Sequence, residues 1–170
     1  MASGIDFLRE RIDDAVIQHG EFVQALLDHE AQAQDDRFRN LCSQHLPRMR
    51  EHQRMLEEYR ETLNAGTTSS SLSTVADRVR RAAGTAFSHA KHLADAPISS
   101  DYVRLVSDLE LARQGEDAFK TFRDGGRQLG IQRLAEIGEI GEPDHVAYVG
   151  HGRRLVQQLF VEGAAGAEEF

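Results

Sequence analysis

The chain has 170 residues, of which 40% are hydrophobic and 28% are charged, and this composition fits one folded domain with a core of its own. The formal net charge is −8 at pH 7 and no basic block emerges, which argues against nucleic acid or an anionic membrane as the main partner. Cys42 is the only cysteine, which excludes an internal disulfide and a cysteine-based zinc cluster.

Helical periodicity runs through nearly the whole chain, without the alternation that is typical of strands. The first helix is predicted from about residue 5 to the low thirties. Asp35 or Asp36 is predicted to cap a second helix, which ends at Asn64-Ala65-Gly66. Pro47 lies inside that second helix and predicts either a bend or a new helix start. The apolar stripes that define the two helices are Ile5, Leu8, Ile12, Val16, Val23, Leu26 and Leu27, and then Phe38, Leu41, Cys42, Met49, Met55, Leu56, Tyr59 and Leu63.

The second half of the chain repeats the pattern of two long helices after a connection. A polar linker over residues 67–71 precedes a shorter helix predicted over 72–95. Ser100 or Asp101 is predicted to cap the third long helix, which ends near Gly125-Gly126. The last helical region, from about Ile131 to Phe160, contains Pro143 and several glycines, and is predicted to be broken or kinked there.

This order predicts an all-α, antiparallel four-helix bundle of ferritin-like topology, with a short extra helix in the one long crossover connection. The bundle is predicted to be a single domain over residues 1–161. Residues 162–170 are mostly Ala, Gly and Glu, and are predicted to form a flexible tail.

Five polar residues fall on the apolar stripes, where core residues are expected: His19, His45, His52, Glu116 and His145. At ~1.5 Å per residue, all five lie about 16 to 27 Å from a predicted turn, so they share the middle of the bundle. Because an unpaired buried carboxylate is costly, Glu116 needs a cation, a metal or a hydrogen-bond donor as partner. The pattern therefore makes these five residues candidate metal ligands at one level of the core.

The alternative is that each histidine is an ordinary core residue bonded to a carbonyl or carboxylate, and any one of them alone favours that interpretation. Other candidates are weaker. His89 and His92 are predicted on the surface of the short helix. Gly150-His151-Gly152 lacks the preceding strand and the Gly-Lys-Ser/Thr ending of a phosphate loop. Cys42 lies on a buried stripe without an activating base and is interpreted as a core thiol.

The helix plan and the spacing of these residues resemble the ferritin-like superfamily, and most closely its short bacterial stress-associated branch. The resemblance covers about residues 5–160. It is carried by Met49-Arg50-Glu51-His52 in the long second helix, by the connecting helix over 72–95, and by the stretch from Leu109-Glu110 to Leu129-Gly130.

The resemblance implies a di-iron motif with a glutamate on the first and third helices and Glu-x-x-His on the second and fourth. His52 matches the second-helix histidine, but Met49 stands where its glutamate belongs. Glu142 and His145 have the fourth-helix spacing, with Pro143 between them.

On the remaining two helices the match to the motif is also partial. Glu116, or Glu110, corresponds to the third-helix glutamate. Glu21 lies in the right region of the first helix, although His19 is the inward residue. The resemblance thus implies a degenerate bundle, or an altered metal site richer in histidine. Hemerythrin-like bundles rank lower, because their His-x-x-x-Glu and His-x-x-x-His pairs are absent.

Two functions follow as expectations. The first is a non-catalytic bundle, stress-related by resemblance, that acts by association with itself or a partner, with a homodimer as the default. The second is a metal-dependent redox protein that holds iron or another transition metal at the five candidate residues. A third, an apolar-ligand carrier, needs an internal cavity. The charged N-terminal stretch and the lack of an 18-residue apolar run predict a cytoplasmic location.

Overall fold

The computed structural model describes residues 3–65 and 100–167, and these two stretches form four long helices without a strand. Helix α1 spans Gly4–Gln32, α2 spans Asp36–Asn64, α3 spans Ser100–Leu129 and α4 spans Gln132–Ala164. The all-α bundle is therefore confirmed. The predicted linker, the short helix over 72–95 and its two histidines lie outside the described residues. None of the described helices is long and apolar enough to cross a membrane.

Both helices of the first pair begin at side-chain caps. The Ser3 hydroxyl accepts the backbone N–H of Asp6, and the Asp6 carboxylate accepts the backbone N–H of Ser3, which forms a capping box. The Asp35 carboxylate accepts the backbone N–H groups at positions 37 and 38, so Asp35 is the cap of α2. Helix α2 continues through Pro47 without a second start.

The start and end of α3 differ from the sequence prediction. Asp101 lies inside the first turn, and its carboxylate accepts the backbone N–H groups of Gln34 and Asp35 at 2.8 and 2.7 Å. It therefore ties α3 to the α1–α2 turn. The predicted helix end at Gly125-Gly126 is wrong, since α3 continues to Leu129 and the chain turns at Gly130, which has a φ of +68°.

The predicted break in α4 is wrong as well. The helix runs without interruption through Pro143, because it packs along α3 in the most extensive helix pair of the bundle. These tertiary contacts override the local helix-breaking tendency of proline and glycine. The helix also extends past Phe160 into the segment that was predicted to be a tail. There Glu162 accepts two hydrogen bonds from Arg37, at 2.7 and 2.6 Å.

The core consists of two clusters of buried residues. Ala33 of the α1–α2 turn belongs to one cluster, and Ile131 of the α3–α4 turn packs against the other, so the two turns lie at opposite ends of the bundle. Helix α1 packs against α2 and α3, and α4 packs against the same two helices. Because Asp101 holds the start of α3 at the α1–α2 turn, each pair of neighbouring helices is antiparallel. Helix α2 ends and α3 begins at opposite ends, as in a bundle with one long crossover. The buried members of the two clusters are Phe22, Leu26, Ala33, Phe38, Leu41, Cys42, Leu46, Met49, Leu105, Leu109, Ala112, Tyr148, Val149 and Leu155, and then Ile12, Ala15, Val16, Leu56, Tyr59, Phe119, Phe122, Leu134 and Ile137.

Candidate functional site

Three of the five predicted residues meet between these two core clusters. His19 of α1, His52 of α2 and His145 of α4 are 4%, 0% and 0% exposed. Their ring centroids are 5.2 Å apart for His19 and His145, 6.0 Å for His52 and His145, and 6.3 Å for His19 and His52. We call these three residues the histidine layer. The apolar core is thus divided at mid-height by a set of imidazoles.

Each of the three rings has a tautomer that its partner fixes, and two of them donate through Nδ1. The Nδ1 atom of His145 is 2.8 Å from the carbonyl oxygen of Gly141, which can only accept, so Nδ1 carries the proton. The Nδ1 atom of His19 is 2.9 Å from Oε1 of Gln53. The Gln53 amide nitrogen donates to the carbonyl oxygen of Val16, which leaves its oxygen to accept from His19.

The third ring donates through its other nitrogen. Nε2 of His52 lies 2.8 Å from a carboxylate oxygen of Asp144, whose side chain is 33% exposed. Because a carboxylate accepts, Nε2 of His52 carries the proton. Asp144 therefore orients His52 from the partly exposed seam between α2 and α4.

Each ring of the layer keeps its second nitrogen buried without a hydrogen-bond partner in the described structure. These atoms are Nε2 of His19, Nδ1 of His52 and Nε2 of His145. Buried polar atoms without partners are rare in folded proteins, and each calls for a physical reason. Metal-binding histidines share this pattern, since they donate one N–H to a carbonyl or carboxylate and coordinate through the other nitrogen.

Burial keeps the imidazoles of the layer neutral. It lowers the pKa of His19 to about 3, with the neighbouring His145 as the next cause. It lowers the pKa of His145 to about 4, and the pKa of His52 is lowered for the same reason, against the opposing effect of Asp144. At neutral pH the three unpartnered nitrogens are therefore lone-pair donors.

The triangle of rings has the size of a three-imidazole metal site. The point equidistant from the three ring centroids is about 3.4 Å from each of them, as calculated from the three centroid distances. An ion bound about 2.0–2.1 Å from an imidazole nitrogen lies about 3.2 Å from the centroid of that ring, which is nearly the same distance. Phe119 covers one side of the triangle, with its ring 5.0 to 5.8 Å from all three histidines. On another side, Phe22 packs against two of them.

The size of the triangle alone does not make a metal site. Within residues 3–65 and 100–167, no group of three or more His, Cys, Asp or Glu side chains is arranged so that it could hold a metal ion. The three rings would have to turn before their nitrogens could share one ion. Gly115 of α3 gives His145 its space, since a Cβ at this position would lie 2.6 Å from Nε2 of His145.

The other two predicted residues do not join the layer. His45 is buried, but it lies on the same seam as His52 two turns away, and its Nε2 is 3.2 Å from Nδ1 of His151. Glu116 is only half-buried and has no hydrogen bond with the three rings. The desolvation cost that led the sequence analysis to expect a partner for Glu116 is therefore smaller than assumed.

A second buried polar group was missed by the sequence analysis. Asp108 of α3 is 0% exposed and accepts from Nδ1 of His29 at 2.8 Å and from the Tyr148 hydroxyl at 3.4 Å. Burial raises the pKa of Asp108. The sequence does indicate this buried group, because an aspartate at position 108 interrupts the apolar stripe between Leu105 and Leu109.

The di-iron group implied by the resemblance does not fit these residues. Met49 is fully buried at the position of the second-helix glutamate. Glu142, the fourth-helix candidate, forms an ion pair with Arg123 of α3. The three residues of the layer offer only nitrogen, whereas a pair of iron ions in this fold needs bridging carboxylates.

Fold and site together define an all-α four-helix bundle, compatible with a ferritin-like fold, whose core is divided by three buried histidines. No protein-family model matches the chain, and neither a curated protein nor a solved structure matches it. What the chain does has to be inferred from the helix order and the contacts described above.

Proposed function

We propose that this chain is a ferritin-like bundle protein that binds one transition-metal ion through His19, His52 and His145. One observation carries the proposal: three adjacent buried imidazoles each donate with one nitrogen and leave the other unpartnered. An interior that needed only packing would be served better by apolar side chains, because unpaired buried nitrogens cost about 1–3 kcal/mol each.

The donor set decides the class of ion. Imidazole nitrogen suits Zn²⁺, Cu²⁺, Ni²⁺ and iron, whereas Mg²⁺ and Ca²⁺ prefer oxygen. Asp144 supplies a carboxylate behind His52, in the way that outer carboxylates support metal-bound histidines. Torsion about the Cβ–Cγ bond of histidine is broad, so the three rings can turn toward a common point at a small intrinsic cost.

The proposal predicts that tag-free protein binds one Zn²⁺ ion per chain and is stabilised by it. With free Zn²⁺ at about 100 times the Kd, the free energy of unfolding should rise by about 2.7 kcal/mol. His19→Ala is expected to abolish both effects, because it removes one of three ligands. Elemental analysis after dialysis, together with urea unfolding with and without Zn²⁺, measures them.

Met49→Leu is the matched control for this experiment. It changes a fully buried residue of the neighbouring core cluster, keeps the volume similar and removes no nitrogen. We expect it to bind Zn²⁺ as the unsubstituted chain does. Equal Zn²⁺ binding by His19→Ala and Met49→Leu, or no binding by the unsubstituted protein, would show that the layer is a structural feature only.

Association is the second candidate function, and a row of apolar residues on α4 favours it. Ile140 and Val146 are 46% and 47% exposed, and the exposed Pro143 lies between them at three-residue spacing. We expect a homodimer in light scattering after size-exclusion chromatography, and Val146→Glu should shift it to monomer. Val106→Glu, an equally exposed valine on α3, is the control. A monomer at all protein concentrations would remove this candidate.

The stress-related role and the cytoplasmic location belong to the same proposal. The first rests on the resemblance of the helix plan, and the second is an expectation from the sequence alone. Metal binding and association are compatible, since the layer lies in the core and the α4 row faces outward.

A further inference from the structure

The seam between α2 and α4 carries two polar pairs in one register. His45 faces His151, and His52 faces Asp144, and the two pairs are spaced seven positions apart on both helices. Only the second pair belongs to the histidine layer. The first pair brings two imidazoles together outside the histidine layer.

The distance between the two imidazoles matches a metal chelate. Nε2 of His45 and Nδ1 of His151 are 3.2 Å apart. Two nitrogen ligands at about 2.0–2.1 Å from one ion are separated by about 2.9 Å at the right angle of a tetragonal site, and by about 3.3 Å at a tetrahedral angle. A bound ion would replace the hydrogen bond that the two rings share. The ring centroids are 5.4 Å apart, and each ring would have to turn until its lone pair points at the ion and no longer at the other ring.

The pair is accessible from one side. His45 is buried against Tyr148, whereas His151 is half-buried and lines an open groove of about 430 Å³ between α2 and α4. Asn40, Gln44 and Gln158 also line this groove, so water can reach an ion there and complete its coordination.

Charges of both signs lie near the pair. Two arginines line the groove, Arg37 and Arg154, but Arg37 is paired with Asp35 and Glu162. Asp144, seven residues before His151 on the same helix, places a negative charge near His45. Arg154 remains the positive charge on the groove that a divalent cation would meet.

We propose that His45 and His151 form a second, solvent-facing site that takes a borderline divalent ion such as Cu²⁺ or Ni²⁺ through two imidazole nitrogens. Water fills the remaining positions, as at an exchangeable site. The inference does not depend on the histidine layer, because the two sites share no residue. It also gives a role to His151, which the sequence analysis set aside with its glycine neighbours.

Cu²⁺ titration of the His19→Ala protein tests this site after one of the three ligands of the layer has been removed. Substitutions of His151 in that protein then show whether the bound ion lies at the His45–His151 pair. We expect one Cu²⁺ per chain, with nitrogen hyperfine splitting from two equivalent ligands in the electron paramagnetic resonance spectrum. Adding His151→Ala should weaken Cu²⁺ binding by about tenfold or more, because the chelate is reduced to a single nitrogen. Adding Gln158→Ala, which lines the same groove without an imidazole, should leave the affinity unchanged.

His151→Gln is the second variant, since an amide can keep the hydrogen bond to His45 and preserve the fold. It should lose Cu²⁺ as His151→Ala does. The inference is overturned if either His151 substitution binds Cu²⁺ as tightly as the His19→Ala parent, or if Gln158→Ala weakens binding to the same extent. If the layer does not bind Zn²⁺, the Cu²⁺ titration still tests the His45–His151 pair, because the parent protein already lacks His19.

Discussion

Acidification of the metal-free protein from pH 7 to pH 5 is expected to lower the free energy of unfolding by about 4 kcal/mol through His19 and His145 alone. Both have a pKa in the folded state below that of the unfolded chain, which is 6.5. The unfolded chain therefore binds protons in this range while the folded chain does not. Stability is fully present above pH 6.5 and is lost as the pH falls toward the folded-state pKa values of about 3 and about 4.

The size of this effect depends little on how low the folded-state values are. At pH 5, which is about 1.5 units below the pKa of histidine in the unfolded chain, protonation stabilises the unfolded chain by about 2 kcal/mol per histidine. An imidazole that stays neutral in the core has no such gain, so the free energy of unfolding falls by that amount. His52 adds to the loss, since burial lowers its pKa too. Asp108 acts in the opposite direction, because burial raises its pKa and a lower pH relieves its buried charge.

Variants separate the contribution of the layer from these other groups. Urea unfolding at pH 7 and pH 5 gives the loss for each protein. His145→Leu should reduce the loss by about 2 kcal/mol, and the double variant with His19→Leu should reduce it by about 4 kcal/mol. Met49→Leu should show the full loss. An unchanged loss in the double variant would mean that the two imidazoles are protonated in the folded chain.

The helices could be predicted because their signals are local. An apolar stripe at three-and-four spacing marks each helix, and the caps at Ser3 and Asp35 satisfy backbone N–H groups within the next few residues. Helix length also fixed the depth of His19, His52 and His145 in the bundle, so their meeting could be expected from residue counts alone.

The orientation of the histidines could not be predicted in the same way. Gln53 and Asp144 set two tautomers, and Phe119 covers the layer from α3, but which rotation of each helix brings these side chains together depends on the packing of all four helices. For the same reason His45 was assigned to the layer from its stripe, although the α2–α4 register pairs it with His151.

The glycines of α3 and α4 were misinterpreted because local rules treat glycine as a break. In this bundle five of them are contact points between the two helices: Gly115, Gly126, Gly138, Gly141 and Gly152. A Cβ at Gly126 would come within 3.0 Å of the backbone of Ala135, and at Gly141 it would meet the ring of Phe119. At Gly138 it would meet the backbone of α3 at Phe119 and Arg123. The helices can approach closely only because these side chains are missing.

Gly138→Ala is therefore expected to lower the free energy of unfolding by about 2–3 kcal/mol, although alanine is the better helix former. The added methyl group meets backbone atoms, which cannot move aside as a flexible side chain can, so α4 has to shift away from α3. Because Phe119 packs against all three rings of the layer, the shift should also weaken Zn²⁺ binding. Urea unfolding and Zn²⁺ titration of the same preparation measure both effects.

Gly125→Ala is the matched control, since it lies inside α3 and a Cβ there has no atom within 4 Å. This substitution should stabilise the protein by about 0.5–1 kcal/mol, because alanine loses less backbone entropy on folding. Opposite signs for the same chemical change separate close helix packing from helix propensity. If Gly138→Ala stabilised the protein as Gly125→Ala does, α3 and α4 would have to be further apart than described, and Phe119 could not hold the histidine layer in place.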